Sequence, residues 1–290
     1  MEKEAIEKWI EEYIENTIHI TVDKKISLLD PRNGMLPRDL LQLYFAVESY
    51  FGIKFEERNV IDERFDYLCN MVDAIQEKLK KILDNVNSIY NNDISAKFLI
   101  TLGDEFQGLL EITAPILEII KYIQREIYPI KLRFGVGIGN VSTLINHEAA
   151  IGADGPAFYA AREMIEFLRE QEKKLKKQAA DIQISVYEKK CFETEEINAM
   201  FSLLKIIEDS WTEKQRYTIW DMMIHQGSQE MCAERMDITQ STVARRLADG
   251  KYIIYQRTME VIDEAIRRLG NKRWQSDICY YWLWGMCCFL

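Results

Sequence analysis

The chain has 290 residues, of which 48% are hydrophobic and 29% are charged, a balance typical of globular proteins. Its formal net charge of −10 argues against a protein whose whole surface coats nucleic acid or an anionic membrane, although a small basic patch is enough to contact DNA. The chain opens on an acidic helical pattern without a signal peptide, and its 6 cysteines lack the spacing of zinc ligands. We therefore expect a cytoplasmic protein with reduced thiols.

Residues 1–75 are predicted to form a helical bundle. Apolar residues recur at helical spacing over residues 6–14, and β-like runs follow over residues 18–29. A second helix is expected to end near Gly52, and a third helix to begin near Phe65.

The string Asp-Leu-Leu-Gln-Leu-Tyr-Phe-Ala-Val-Glu-Ser-Tyr-Phe-Gly-Ile at residues 39–53 resembles an acyl or peptidyl carrier domain. Carrier domains attach phosphopantetheine to a serine just before this helix. The matching position holds Pro37, which has no hydroxyl group to be esterified. The resemblance therefore implies a bundle that carries no phosphopantetheine and docks on a partner enzyme. The alternative is an unrelated helical bundle.

Residues 76–192 show an order of helices and strands that predicts an antiparallel sheet covered by helices on one face. Two apolar segments flank an acidic turn at residues 103–105, a pattern that predicts a β-hairpin with carboxylates at its tip. Further strands are expected at residues 131–138 and 181–188. A long helix is expected to begin at Ala157, with residues 154–156 as its cap.

Three strings of this unit, at residues 100–109, 132–139 and 152–162, look like the SatD family of bacterial proteins. The match is specific because three unusual strings occur in the family's order. The family's pattern is similar to the palm domains of diguanylate cyclases and class III cyclases. The resemblance therefore implies an α+β fold with a palm-like, ferredoxin-like core.

Asp104 and Glu105 are the candidate metal ligands of the acidic turn. In palm enzymes, carboxylates hold Mg²⁺ ions that bridge phosphates and neutralise charge during nucleotidyl transfer. Such sites need a further carboxylate from a leading strand, with which SatD chains begin, whereas this chain has a helical pattern there. Asp104 and Glu105 are therefore interpreted as half of a site, which argues against an enzyme. Acids that only cap backbone N–H groups also explain the turn.

Asp154 and Gly155 lie at the predicted start of a helix, where backbone N–H groups bind phosphates or nucleotides. Arg133 and Arg162 are candidates to pair with such a phosphate. Ordinary helix capping is the alternative for Asp154, and local acids are alternative partners for the two arginines.

Residues 193–270 contain a pattern that closely resembles a helix-turn-helix. Ala233 is a small residue where two helices cross, Asp237 occupies the tight turn, and Val243 fills the core. The resemblance implies a recognition helix in the major groove of DNA, and a helical hairpin that contacts protein is the alternative. The expected DNA-binding residues are Gln240, Ser241, Thr242, Arg245 and Arg246.

Residues 271–290 form an apolar tail. Its longest apolar run, at residues 278–290, is shorter than the roughly twenty residues that a membrane-spanning helix needs. We expect the tail to dock on the body of the protein or on a partner, without spanning a membrane.

The leading functional hypothesis is a bacterial DNA-binding regulator in which the palm-like unit senses a nucleotide or another small ligand, or forms a homodimer. The homodimer is inferred because a single helix-turn-helix usually binds DNA weakly. One alternative is an Mg-dependent nucleotidyl cyclase or transferase. The other is a non-catalytic scaffold whose carrier-like unit docks on a partner enzyme.

Overall fold

The protein is described by a computed structural model that covers residues 3–55, 60, 64–101, 105–150, 152–175, 180–187, 192–272 and 279–288. The helices within these ranges are α1 (Lys3–Tyr13), α2 (Pro37–Phe51), α3 (Leu68–Ile89), α4 (Ile116–Ile127), α5 (Pro156–Leu175), α6 (Phe192–Asp209), α7 (Glu213–His225), α8 (Gln229–Arg235), α9 (Gln240–Asp249) and α10 (Tyr252–Lys272). The strands are β1 (Ile94–Ile100), β2 (Glu105–Glu111), β3 (Lys131–Gly139), β4 (Ile182–Val186) and β5 (Tyr280–Cys288). The fold is α+β, as the sequence predicts.

The five strands form one sheet in the order β1-β2-β5-β3-β4. Strand β5 lies between β2 and β3 and is antiparallel to both, while β4 pairs with β3 in the parallel direction. Helix α4 connects β2 to β3, so these two strands are joined by a crossover and flank a third strand. This arrangement is the split β-α-β unit of ferredoxin-like sheets.

The apolar tail predicted for residues 271–290 therefore contains the central strand of the sheet. The two faces of β5 bury different residues: Tyr281 and Leu283 lie in the larger core, and Trp282 and Trp284 lie in a smaller core on the opposite face. A strand covered on both faces is apolar at every position and shows no alternation. The tyrosine and tryptophan residues of this segment also belong to the residue types that favour strands.

Helices cover both faces of the sheet, which corrects the expectation of one covered face. Helices α3, α4 and α6 pack into the larger core, and α5 packs on β3 and β5 from the other side. A Cβ atom added at Gly137 would lie 1.9 Å from the backbone oxygen of Ala157, and one at Gly135 would lie 2.2 Å from that of Ala161. These glycines of β3 let α5 approach the sheet at backbone distance.

The N-terminal helices share the core of the sheet. Helix α3, which was expected to begin near Phe65, runs without a break from Leu68 to Ile89, so the predicted unit boundary at residue 75 falls inside it. Ile6, Ile10 and Ile14 are buried in the same core as the inner face of α3. The β-like runs at residues 18–29 form no strand, because a π-helical turn and irregular backbone occupy that segment.

A cluster of largely buried charges ties the sheet to the helices that follow it. Lys121 of α4 donates a hydrogen bond of 2.6 Å to the carboxylate of Glu208 in α6, and the hydroxyl of Tyr255 in α10 donates to the same carboxylate. Arg216 of α7 donates to the backbone oxygen of Glu208 over 2.7 Å. Buried charges are tolerated only with such partners. This cluster therefore fixes the relative positions of four helices.

The pKa values of two acids in this cluster shift in opposite directions: that of Asp181, just before β4, is raised, and that of Glu208 is lowered. Burial raises the pKa of Asp181 to about 7, although Lys205, 3.9 Å away, opposes the rise. Burial also disfavours the charged form of Glu208, but its pKa stays below the ordinary value because Lys121 and Tyr255 stabilise the carboxylate. The proton of the cluster therefore belongs to Asp181 in mildly acidic solution.

Replacing Gly285 of β5 by alanine is expected to destabilise the protein by about 1–3 kcal/mol, because the added Cβ would lie 2.0 Å from the ring of Phe106 in the middle of the sheet. Urea unfolding measures the free energy of unfolding. The control is Gly227→Ala, whose nearest neighbour is the flexible side chain of Met231 at 3.3 Å. Equal stability of the two variants would show that β5 is not packed in the sheet.

The free energy of unfolding is expected to fall as the pH rises from about 4 to 7. In that range the folded protein still holds the proton of Asp181, which the unfolded chain releases near the ordinary pKa of 3.8. One such proton contributes up to about 1.4 kcal/mol per pH unit. Urea unfolding between pH 5 and 8 should show a smaller slope for Asp181→Asn, and an unchanged slope for Asp249→Asn on the exposed face of α9. A wild-type slope in Asp181→Asn would contradict this assignment.

Candidate functional site

The acidic turn joins β1 to β2, and only part of it lies within the described residues. Asp104 lies outside them, and Glu105 is the first residue of β2. The backbone oxygen of Glu105 accepts a hydrogen bond of 2.9 Å from the N–H of Thr101, which closes the hairpin. Glu105 faces Met286 of β5 in the sheet register. The central strand thus reaches the acidic turn.

The described residues around this turn do not by themselves make a magnesium site, and the candidate ligand Asp104 lies outside them. Strand β5 occupies the place beside β2 where a palm enzyme has its leading strand, but residues 280–288 contain no carboxylate. Mg²⁺ takes oxygen ligands in a strict octahedral geometry. Among the residues that the structure describes, no three His, Cys, Asp or Glu side chains gather as metal ligands. The C-terminal strand β5 thus takes the place of the missing leading strand beside β2, but it contributes no carboxylate ligand.

Both oxygens of the Asp154 carboxylate accept hydrogen bonds from neighbouring residues of the same loop and of α5. One oxygen accepts a hydrogen bond of 2.9 Å from the N–H of Gly155, and the other accepts one of 2.9 Å from the hydroxyl of Tyr159 in α5. The backbone N–H of Asp154 donates to the hydroxyl of Thr143 over 3.0 Å. These contacts tie the loop that precedes α5 to the helix itself.

The two arginines proposed for a phosphate lie apart from this helix start. Arg133 is the third residue of β3 and donates a hydrogen bond of 2.8 Å to Glu172 near the end of α5, about 20 Å along the strand from the end that faces Pro156. Arg162 forms an exposed ion pair of 3.2 Å with Glu166, one helical turn away. The structure therefore does not bring Arg133, Arg162 and Asp154 together.

The segment predicted as a helix-turn-helix folds as two short helices, α8 and α9, joined by a turn. Asp237 adopts the left-handed backbone conformation, with φ of 52°, that the tight turn requires. The N–H of Ile238 donates to the backbone oxygen of Ala233 over 3.0 Å, and Val243 is fully buried. The hydroxyl of Thr239 caps α9. The sequence predicts the roles of these residues in packing and in the turn correctly.

The five predicted DNA-binding residues differ in exposure. Gln240, Ser241 and Arg245 are exposed, while Thr242 and Arg246 are half-buried. The guanidinium of Arg246 donates a hydrogen bond of 3.2 Å to the hydroxyl of Thr218 in α7, so it faces the neighbouring helix. Arg245 makes no hydrogen bond or ion pair with the described part of the chain. The outer surface of α9 is therefore polar and carries one uncommitted guanidinium.

Two features near α7 have no local signal in the sequence. A cleft of about 880 Å³ lies between α4, the end of α7 and α10; we call it the α4–α10 cleft. The buried charged cluster lies beside it and shares Lys121. Residues that line the cleft include Leu117, Tyr122, Met222, Met223, Tyr252 and Met259.

Pro37 is the first residue of α2, and Gly52 ends this helix in the left-handed conformation, as the sequence predicts. The comparisons with known proteins do not support the resemblance of this segment to a carrier domain.

Within the described ranges no helix combines the length and the apolar composition needed to cross a membrane.

The model of the SatD family matches residues 68–266 of the chain. The match begins with α3 and ends in α10, so it includes β1 to β4 and the α8–α9 segment but neither the N-terminal helices nor β5. No curated protein and no solved structure matches the chain. The family match covers more than half of the residues and agrees with the three strings around the acidic turn, on β3 and at the start of α5. The chain belongs to the SatD family.

Proposed function

We propose that this SatD-family protein is a bacterial DNA-binding regulator in which α8 and α9 form a helix-turn-helix. The observation that carries the proposal is the division of α9 into two faces. Val243 and Leu247 are buried against the neighbouring helices, and Gln240, Ser241 and Arg245 are exposed. In helix-turn-helix proteins, the exposed start of the second helix reaches the base edges in the major groove.

The exposed side chains suit different parts of DNA. Gln240 resembles the glutamines that bind adenine edges, although its amide now donates to Gln229 of α8 over 3.0 Å. Ser241 and the start of the helix suit a phosphate. Arg245 suits guanine or a phosphate. Arg246 positions the helix and does not face the DNA, because its hydrogen bond to Thr218 holds α9 against α7.

The sheet is proposed to serve as a module for ligand sensing or for dimerisation in the cytoplasm. Two copies would place two α9 helices in successive major grooves, about 34 Å apart. An Mg-dependent enzyme is less well supported, because β5 brings no carboxylate to the turn that contains Glu105. A scaffold that docks on a partner enzyme has no observation in its favour beyond exposed apolar side chains on α2, such as Phe45.

Arg245→Ala is expected to weaken DNA binding by about 1–3 kcal/mol, which is roughly fivefold to more than a hundredfold, because it removes the uncommitted guanidinium of α9. The DNA is first selected from a random-sequence library with the purified protein. Its affinity is then measured by fluorescence anisotropy at several salt concentrations, where binding should weaken steeply as salt increases.

The matched control is Arg169→Ala, which removes an exposed arginine from α5 on the other face of the sheet and should leave the affinity unchanged. If no DNA is enriched at low salt, the regulator hypothesis is wrong. Equal losses in the two variants would mean that binding depends on overall charge and not on α9.

A further inference from the structure

We propose that the α4–α10 cleft binds a small organic cation with an aromatic or apolar body. The cleft is open to solvent and has a volume of about 880 Å³, within the range of about 300–1,000 Å³ of sites for small ligands. Its walls come from α4 on the sheet side and from α7 and α10 on the side of α9.

The floor of the cleft is apolar and adaptable. Leu117, Met222 and Met259 are buried there, and the half-buried Met223 extends the same surface. Methionine side chains adjust to ligands of different shape and make favourable contacts with aromatic rings. This floor favours a ligand with an apolar or aromatic body over a sugar or an inorganic ion.

Tyrosine rings line the walls. Tyr90 and Tyr122 stand edge to face with ring centres 6.4 Å apart, and Tyr252 lies across the cleft on α10. The guanidinium of Arg125 already lies over the ring of Tyr122, 5.3 Å from its centre. A wall of this kind attracts cations through the negative faces of its rings, and Tyr90 and Tyr252 hold no such cation in the described chain.

The charges around the cleft point to the same class of ligand. Each cationic side chain has an acid partner: Lys121 pairs with Glu208, Arg125 with Glu126, and Arg267 with Asp263. Two carboxylates, Glu118 and Glu260, have no cation within ion-pair distance among the described residues. Within the described part of the chain, they accept hydrogen bonds from the neutral groups of Tyr90 and Gln256, at 2.9 and 3.1 Å.

The unpaired charge of the cleft is therefore negative. An anionic ligand would meet two uncompensated carboxylates, whereas a cation would be attracted by them and by the rings. A metal ion is a poor alternative, because the described residues include no cluster of three metal-ligating side chains.

The position of the cleft indicates that a bound ligand would affect DNA binding, and this part of the inference rests on the proposed function. Helix α7 supplies Met222 and Met223 to the cleft, and its Thr218 holds Arg246 of α9. A ligand that moves α7 would move α9 with it. The cation would then change the affinity of the protein for DNA, as an effector acting from a separate site.

Isothermal titration of the full chain with tetraphenylphosphonium tests the site without any DNA. We expect saturable binding of this cation and at least tenfold weaker binding of tetraphenylborate, which has the same shape and the opposite charge. Glu118→Gln/Glu260→Gln should weaken binding of the cation at least tenfold. Gln256→Trp should also weaken it, because a large ring added at this exposed position fills the cleft. Circular dichroism checks that each variant is folded.

The matched control is Glu195→Gln/Glu196→Gln, which removes two exposed acids of α6 and should leave the affinity for the cation unchanged. Equal binding of the two ions, no saturable binding, or no effect of Glu118→Gln/Glu260→Gln would overturn the proposal. An anisotropy titration with DNA in the presence of the cation then tests the effector step alone. If the protein binds no DNA, the proposed function fails while the binding site still stands on the calorimetry.

Discussion

The pairing of β5 with β2 and β3 is the interaction on which the rest of the structure depends. Strands β2 and β3 are neighbours only through β5, so without it the sheet would separate into two pairs of strands. The same strand contributes to both cores, with Tyr281 and Leu283 on one face and Trp282 on the other. Backbone hydrogen bonding and apolar burial therefore act through one short segment. Neither core is complete until that segment is in place.

The sheet is connected to α9 through a short series of contacts. Helix α4 lies on the sheet, and its Lys121 donates a hydrogen bond to the carboxylate of Glu208. The backbone oxygen of Glu208 accepts a hydrogen bond from Arg216 of α7. Helix α7 in turn holds α9 through Thr218 and Arg246. The α4–α10 cleft opens beside the first of these contacts and shares Lys121 with them. The cleft therefore borders the residues that connect the sheet to α9.

The sequence predicts those parts of the fold that depend on local patterns. Helical spacing reveals α2 and α9, and the residue type in the tight turn predicts the left-handed conformation of Asp237, because these patterns are local in sequence. The central position of β5 depends on strands more than a hundred residues away, and a strand buried on both faces lacks alternation. The pair of Arg133 and Glu172 and the inward direction of Arg246 are likewise set by tertiary contacts. The cleft combines three distant segments, so no single motif could predict it.

The order of the strands along the chain has a consequence for folding during synthesis. Strand β5 is translated after the four strands that it joins, and roughly 170 residues separate it from the end of β2. At about 5–20 residues per second, the hairpin of β1 and β2 waits on the order of ten seconds with its inner edge unpaired. An unpaired strand edge invites association with other chains. Helices that are translated before β5 and pack near that edge would lower this risk until the last strand arrives.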